Sequence, residues 1–403
     1  MEDITQRIIH FNNKFPEHLV KLKFHNMCEN AFRFFRGTCH IFYQDLLVDQ
    51  EFPLSPTTWI SGDLHIENFG SYKGDNSLVY FDMNDFDEAM LAPMLLDIVR
   101  MITSIYVAFD TFEISEKEID DAVLSFLMHF TTTLKEGRAR YIERQTATGI
   151  VKKFLSVVSE RRQAEVLRER TVCKGNKIML VKGKGKQLKL NSDLRNELIE
   201  NFGAWMESNP VPLKGYKIMD VSFRVAGTGS IGAERYLFLI HRVDDHKRYK
   251  FIDMKQAVSS SLLPFINSIQ PVWKSEADRI VSIKKRMQNI SPGLLSTSFF
   301  NGNSYVMEEM QASKDKINFE LIDHDYKKLC AVLKDMAIIT ASSYLTSSGR
   351  QGSAIADELI SFAERDDWQE WVISYAREYK NKVATDYAEF KNILLGEKDS
   401  KLV

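Results

Sequence analysis

The chain has 403 residues, 44% hydrophobic and 27% charged, with 19 glycines and 9 prolines, a composition that fits a folded protein of two or three domains or lobes. Its formal net charge is −2, which excludes a bulk electrostatic pull toward nucleic acid or an anionic membrane, so neither is an expected partner. Cys28, Cys39, Cys173 and Cys330 form no Cys-x-x-Cys pair, which excludes a zinc signature and a disulfide framework and fits a reducing compartment.

Along the chain, the N-terminus is polar and carries no signal-peptide run, so a cytoplasmic location is expected. Residues 1–50 have a helical pattern, with aromatics around Phe32, Phe35 and Phe42. Residues 57–90 change to short β-type runs, TTWI and SLVYF, between Gly/Asp/Asn-rich loops. The most apolar stretch, 90–109, contains Asp97 and Arg100 and is expected to be a buried helix rather than a membrane span. Ser115 with Glu118 spells a capping box, and Ile114 facing Ile119 a hydrophobic staple, which predicts a helix over 116–135. The basic stretch 174–189 reads as an exposed hairpin between helical regions. Residues 216–256 are the clearest β region: Val221, Phe223 and Val225 alternate with polar residues, and the runs 236–240 and 249–255 follow a glycine-rich turn. A helix near 275–289 presents Ile280, Ile283 and Met287 on one face, a strand covers 304–310, and helices resume from Tyr326.

Two constellations carry chemistry. The first is Gly62-Asp63-Leu64-His65-Ile66-Glu67-Asn68, followed by Asn84-Asp85-Phe86-Asp87. Phosphoryl transfer needs a carboxylate to orient and deprotonate the attacking hydroxyl, and oxygen ligands for a magnesium ion that neutralises the phosphates. The Asp-x-x-x-x-Asn spacing lets one loop supply the base, Asp63, and a metal ligand, Asn68. Asp85 and Asp87 bring further metal ligands from the end of the next strand. The competing reading is that polar loops are rich in Asp, Asn and Gly without any site.

The second constellation is Gly227-Thr228-Gly229-Ser230-Ile231-Gly232, with Lys255 ending a later strand. A β-hairpin tip of this kind covers nucleotide phosphates with backbone N–H groups, while a lysine on the next strand contacts them. A dinucleotide-binding reading would use Asp253 as the ribose-binding acid, but it requires a helix straight after the glycines; a plain tight turn also remains open. Glu276 opens the helix after Lys255, where it either pairs with that lysine or complements the helix dipole.

GDLHIEN with NDFDEA resembles the catalytic and metal loops of aminoglycoside phosphotransferases and choline-kinase-like enzymes. That resemblance implies Asp63 as catalytic base, supported by His65, with Asn68 and Asp85 on magnesium and Asp97 bracing the loop from the next helix. At family level the chain resembles a bacterial group, domain-of-unknown-function family 2252. The likeness rests on FFRG (34–37), GDLHIENFG (62–70), NDFDEAMLAP (84–93), AGTGSIG (226–232), FIDMKQA (251–257) and the C-terminal FAERDDW, YAREY and DY elements. Three positions depart from these patterns: Ser61 stands where a histidine or arginine is common, Gln256 follows the lysine in place of glutamate, and ITASSYLTSSG lacks an expected His-Ala-Arg element.

In kinases the glycine loop, lysine and hinge precede the catalytic loop; here they follow it. The implied fold is therefore α+β, protein-kinase-like and two-lobed, but circularly permuted. Residues 1–214, with the loops at 58–97, and 313–403 would build the helical lobe. Residues 215–312 would form the β-rich nucleotide lobe, with Glu308 and Met310 on a hinge-like strand and Arg36 either on phosphate or paired with an acid. The expected function is an ATP- and Mg²⁺-dependent phosphotransferase acting on a hydroxyl of an unknown small molecule or protein. The alternatives are a nucleotide-sensing pseudokinase, transfer of AMP on the same fold, and a metallophosphoesterase; the last would need further His/Asp ligands that the nine histidines do not cluster to supply.

Overall fold

The computed structural model describes residues 3–48, 52–112, 114–160, 163–175, 177–183, 187–209, 213–227, 229, 231–245, 248–310, 317, 319 and 325–396. Four helices come first: α1 (Ile4–Asn12), α2 (Glu17–Met27), α3 (Ala31–Gly37) and α4 (Cys39–Val48). Strands β1 (Thr57–Ile60), β2 (Phe69–Lys73), β3 (Val79–Met83) and β4 (Met90–Pro93) then alternate with loops and lead into α5 (Leu95–Thr111) and α6 (Glu116–Glu136). Next come β5 (Ile142–Glu143), α7 (Gly149–Glu160), α8 (Gln163–Arg170), β6 (Thr171–Lys174), β7 (Lys177–Leu180), β8 (Gln187–Leu188) and α9 (Ser192–Ser208). The β-rich part continues with β9 (Tyr216–Arg224), β10 (Arg235–Arg242), β11 (Tyr249–Gln256), α10 (Glu276–Met287), β12 (Ser296–Phe300) and β13 (Asn303–Glu309). Helices α11 (Tyr326–Ser347), α12 (Ala356–Ala363) and α13 (Gln369–Gly396) end it. The fold is α+β, and every ladder between these strands is antiparallel.

The main sheet has six strands in the order β12–β13–β11–β10–β9–β8. Its central strand β10 explains the unbroken apolar run at 236–240. Tyr236, Phe238 and Ile240 meet Leu198, Phe202 and Trp205 of α9 on one face, while Leu237 and Leu239 meet Leu180, Tyr249 and Phe251 on the other. Side chains alternate between the faces of a strand, so a strand covered on both sides is apolar throughout. Because α9 and β8 lie before residue 215, the sheet takes its cover from the segment N-terminal to the expected lobe boundary. The basic stretch does form a hairpin, β6–β7. It is docked rather than free: the Leu180 N–H donates to Asp220 on β9 at 3.0 Å, and Lys182 pairs with the same carboxylate.

The helical body has a second, larger core. The apolar stretch around 90–109 is buried as expected: α5 is covered from Leu95 to Phe109. The capping box at Ser115 and Glu118 starts α6, and Gly137 ends it in the left-handed conformation that glycine tolerates best. Among the described residues α11 is the one helix long and apolar enough to cross a membrane; most of it is buried in the protein core, against α6. Helix α10 joins the two parts, its Ala277, Ile280, Ile283 and Met287 buried between β12–β13 and α11.

Within the helical body, β1 pairs with β4 from Thr57↔Pro93 to Ile60↔Met90, and β2 pairs with β3 from Phe69↔Met83 to Lys73↔Val79. These ladders fix both ends of the loops 61–68 and 84–89 and bring them side by side. Two substitutions test the α9–sheet interface. Phe202 is fully buried and stacks on Phe238 at 3.9 Å, so Phe202→Ala is expected to cost about 3–5 kcal/mol. Gly203 lies inside α9 with open space where a side chain would go, so Gly203→Ala is expected to stabilise by roughly 0.5–1 kcal/mol. Urea denaturation of the three proteins reads both signs.

Candidate active site

Helix α5 holds the first loop through two charged residues, Asp97 and Arg100, set one turn apart. Asp97 accepts hydrogen bonds from the backbone N–H of Ser61 (2.8 Å) and Gly62 (2.9 Å), from the Ser61 hydroxyl (3.2 Å) and from the Tyr344 hydroxyl of α11 (3.1 Å). Burial raises its carboxyl to about 6, against the pull of those N–H donors. Arg100 is fully buried. Its guanidinium lies over Phe35 at 3.7 Å, donates to the Phe35 carbonyl at 3.0 Å and grips Oδ1 of Asp63 at 2.8–2.9 Å. The other oxygen of Asp63, Oδ2, faces His65 Nε2 at 4.0 Å. Burial pushes the Asp63 carboxyl up, and Arg100 opposes it; the balance suits a proton acceptor whose second oxygen stays in the cleft.

The second loop crosses the first at Gly62. This residue has φ of +79°, and a Cβ there would sit 2.2 Å from the Glu88 carbonyl oxygen, so only glycine allows the crossing. Asn68 ties the loops together: its Oδ1 accepts from the Asp85 N–H at 2.7 Å, and its Nδ2 lies 3.2 Å from the carbonyls of Asp63 and Asp85. Lys255, at the end of β11, places its ammonium between Asp85 (3.4 Å) and Asp87. Burial alone would lower the Lys255 pKa, but the two carboxylates outweigh it and hold it up.

The glycine segment is the tip of the β9–β10 hairpin, and the chain passes from it into a strand, as the nucleotide-hairpin reading requires and the dinucleotide reading does not. Thr228 and Ser230 lie outside the described residues. Gly227 (φ +79°) and Gly232 (φ +126°) take conformations that favour glycine. A Cβ on Gly229 would stand 3.0 Å from the Arg36 carbonyl and 3.8 Å from Asp63 Oδ2, so the tip lies directly over the first loop.

Two adjoining cavities share Arg36, His65, Asp85, Asp87 and Gly227 as walls. One also contains Lys255, Arg235, Lys284, Glu308 and Met310; the other contains Asp63, Glu88, Lys14 and Lys23.

The structure thus gathers Asp63, His65, Asn68, Asp85, Asp87, Gly227, Gly229, Lys255 and Arg36 around one cleft. Gly232 sits further back, against Phe15 of the α1–α2 connection. Arg36 pairs with Glu67 and lies 3.2 Å from His65 Nε2, so it has the acid partner weighed for it while still lining both cavities. Glu276 does not pair with Lys255: it accepts from Ser259 (2.9 Å) and pairs with Arg279 on its own helix. The helix residue aimed into the cleft is Lys284, 2.7 Å from Glu308. Asp253 is clamped by Arg224 and Arg235, which hold its carboxyl far below the usual range despite burial. Met310 N–H donates to the Phe251 carbonyl at 2.8 Å, so this backbone donor of the hinge-like strand is committed to the sheet. At the departures from pattern, Ser61 is held by Asp97, Gln256 accepts from the Glu234 N–H at 2.9 Å, and the ITASSYLTSSG segment supplies Tyr344.

Sequence reasoning missed Arg100, Glu88, Lys23, Lys284, Arg224 and Arg235 as cleft residues. Arg100 did leave a signal: a cation three residues after Asp97 in an apolar helix demands a buried partner.

Among the described residues, no group of three or more His, Cys, Asp or Glu converges as an all-protein metal cage would require. The carboxylates of Asp85 and Asp87, which share Lys255, and the carboxamide oxygen of Asn68, which accepts from the Asp85 N–H, are hard donors on one loop crossing. Such a set fits Mg²⁺, which takes one or two carboxylates and completes its shell with water and substrate phosphates.

This is the architecture of an α+β protein with a charged cleft between a covered antiparallel sheet and a helical body. Over residues 16–393 the chain matches the family described as an uncharacterized protein conserved in bacteria (DUF2252), and it belongs to that family. No curated protein and no solved structure matches it.

Breaking a buried ion pair by removing one partner typically costs about 3–5 kcal/mol. Arg100→Met is therefore expected to destabilise by about that much, and Arg100→Met with Asp63→Asn by clearly less than the sum of the single changes. A double-mutant cycle in urea checks this; additive losses would show that the two residues do not act as a pair.

Proposed function

We propose that the protein is a kinase-like, ATP-dependent phosphotransferase in which the order of the two lobes is permuted along the chain. The observation that carries this reading is the convergence over Asp63 of parts distant in sequence: the glycine tip of β9–β10 above it, and Lys255 of β11 against Asp85 and Asp87 beside it. The donor and acceptor types are those that phosphoryl transfer uses.

In this reading the triphosphate lies in the cavity walled by Lys255, Arg235 and Lys284, with the backbone of the glycine tip over it. The acceptor hydroxyl lies at Asp63. Arg100 fixes Oδ1, so Oδ2 receives the hydroxyl proton as the acceptor oxygen bonds to the γ-phosphorus. The bond from that phosphorus to the bridging oxygen breaks, and ADP leaves with the electron pair. Magnesium bound by Asp85, Asp87 and Asn68 would supply positive charge against the phosphate oxygens.

The test uses the purified protein, a protein-free bacterial metabolite extract as acceptor pool and ATP labelled on either the γ- or the α-phosphate. Transfer of the γ label to a non-nucleotide compound is expected, slowed by about 10²–10⁴-fold in Asp63→Asn. Transfer of the α label would assign AMP transfer instead, and unchanged γ transfer in Asp63→Asn would remove Asp63 from the base role.

A further inference from the structure

The cavity beside Asp63 has a charge balance that the phosphotransferase reading does not use. Each acid on its wall is satisfied within the protein. Asp63 is held by Arg100, Asp85 and Asp87 by Lys255, and Glu88 accepts from the hydroxyls of Ser260 (2.9 Å) and Ser261 (3.0 Å) and from the Ser261 N–H. Arg36 is paired with Glu67. The two lysines on the same wall, Lys14 and Lys23, have no carboxylate within ion-pair distance among the described residues, and they come from the α1–α2 hairpin rather than from either loop.

Lys23 is the unusual one. Its side chain is buried, only 2% exposed, and lysine is almost never fully buried unless paired. Its ammonium donates to Asn12 Oδ1 at 3.0 Å, and Asn12, itself fully buried, is anchored by donating to the Ile8 carbonyl at 2.7 Å. A second polar group on this wall lacks even a neutral partner: His40 Nε2 is buried with no hydrogen-bond partner among the described residues, and its ring stacks on Phe11 at 3.6 Å. Phe11 and Phe15 complete an aromatic side to the cavity, with the exposed Lys14 over both rings at its mouth. The buried cation, held by a neutral amide, and the orphaned imidazole nitrogen are costly groups on residues that line a cavity whose other charged side chains, apart from Glu88 and Lys14, are in ion pairs among the described residues.

We infer that this cavity is the acceptor site and that the acceptor is a small hydroxy carboxylic acid, its carboxylate held by Lys23 and its hydroxyl presented to Asp63. The inference rests on the phosphotransferase reading for the role of Asp63, but not for the binding of the acid. A monoanion fits better than a phosphate dianion, because Asp63 and Glu88 share the wall and repel added negative charge.

Burial pulls the Lys23 ammonium down to about 8, with Glu88, Cys39 and Asp63 pushing it up and Lys14 pulling it further down. Neutral His40 adds no charge: burial lowers its pKa well below the usual value. The cation that would hold the carboxylate is therefore present below pH 8 and lost above it.

The test is binding without nucleotide. Thermal shifts are measured with sodium glycerate and sodium 4-hydroxymandelate, against sodium chloride at equal ionic strength and against glycerol as the uncharged counterpart. Protection by at least one acid and none by glycerol is expected, with affinity reduced about ten- to a hundredfold in Lys23→Met and falling in the wild type as pH rises through about 8. The pH arm stands even if Lys23→Met fails to fold. Protection by neither acid, equal protection by glycerol, or an affinity flat across that pH range would overturn the inference. A parallel shift with Mg-ATP separates the two claims: protection by nucleotide without protection by acid sinks the acceptor and leaves the phosphotransferase reading, and the reverse pattern does the opposite.

Discussion

The carboxylate of Asp97 takes the backbone N–H groups of Ser61 and Gly62, and the loop that carries Asp63 has its shape because of that grip. One helical turn later, Arg100 takes the side chain of Asp63 itself. Residues three apart share a face of a helix, so a single rigid element sets both the path of the loop and the direction of its carboxylate. Aromatic rings of Phe35 and Phe42 enclose the guanidinium, and Tyr344 of α11 closes the far side of Asp97. The rest of the cleft is arranged around that fixed carboxylate. Gly62 lets the second loop cross close enough for Asn68 to hold Asp85, and the tip of the glycine hairpin comes down at Gly229 above Asp63.

The opposite wall is electrostatic rather than packed. Lys255 lies between Asp85 and Asp87, Asp253 between Arg224 and Arg235, and Lys284 against Glu308. Each pair joins different elements, so the sheet, α10 and the second loop keep their relative positions partly through charge. Such pairs are poor evidence for stability, since desolvation offsets much of the attraction. They are better understood as a preset field of cations held in place by acids.

Much of this was legible in the sequence where the signal is local. The capping box at Ser115, the alternation around Val221, and the glycines leading into the apolar run at 236–240 each imply their element from a few neighbouring residues, and the family follows from motifs spread along the chain. The pairing of charges was not legible, because each partner is chosen by tertiary contact. Glu276 and Lys284 lie on the same helix, and only the packing of α10 between β13 and α11 decides that Lys284 faces the cleft while Glu276 turns to Ser259. Nothing in the sequence around Lys23 sets it apart from the other lysines of the N-terminal helical segment. The cover that α9 gives the sheet was hidden for the same reason: nothing within 192–208 says which surface its Phe202 and Trp205 will meet.

The central claim is that this cleft binds a nucleoside triphosphate together with magnesium. Isothermal titration of the full chain with Mg-ATP tests it most directly, beside Lys255→Ala and Asp85→Ala proteins shown to be folded by circular dichroism. The account predicts saturable binding at one site in the wild type, weakened in both variants and dependent on magnesium. A folded wild-type protein that takes up no Mg-ATP, or variants that bind it as tightly as the wild type, would contradict it.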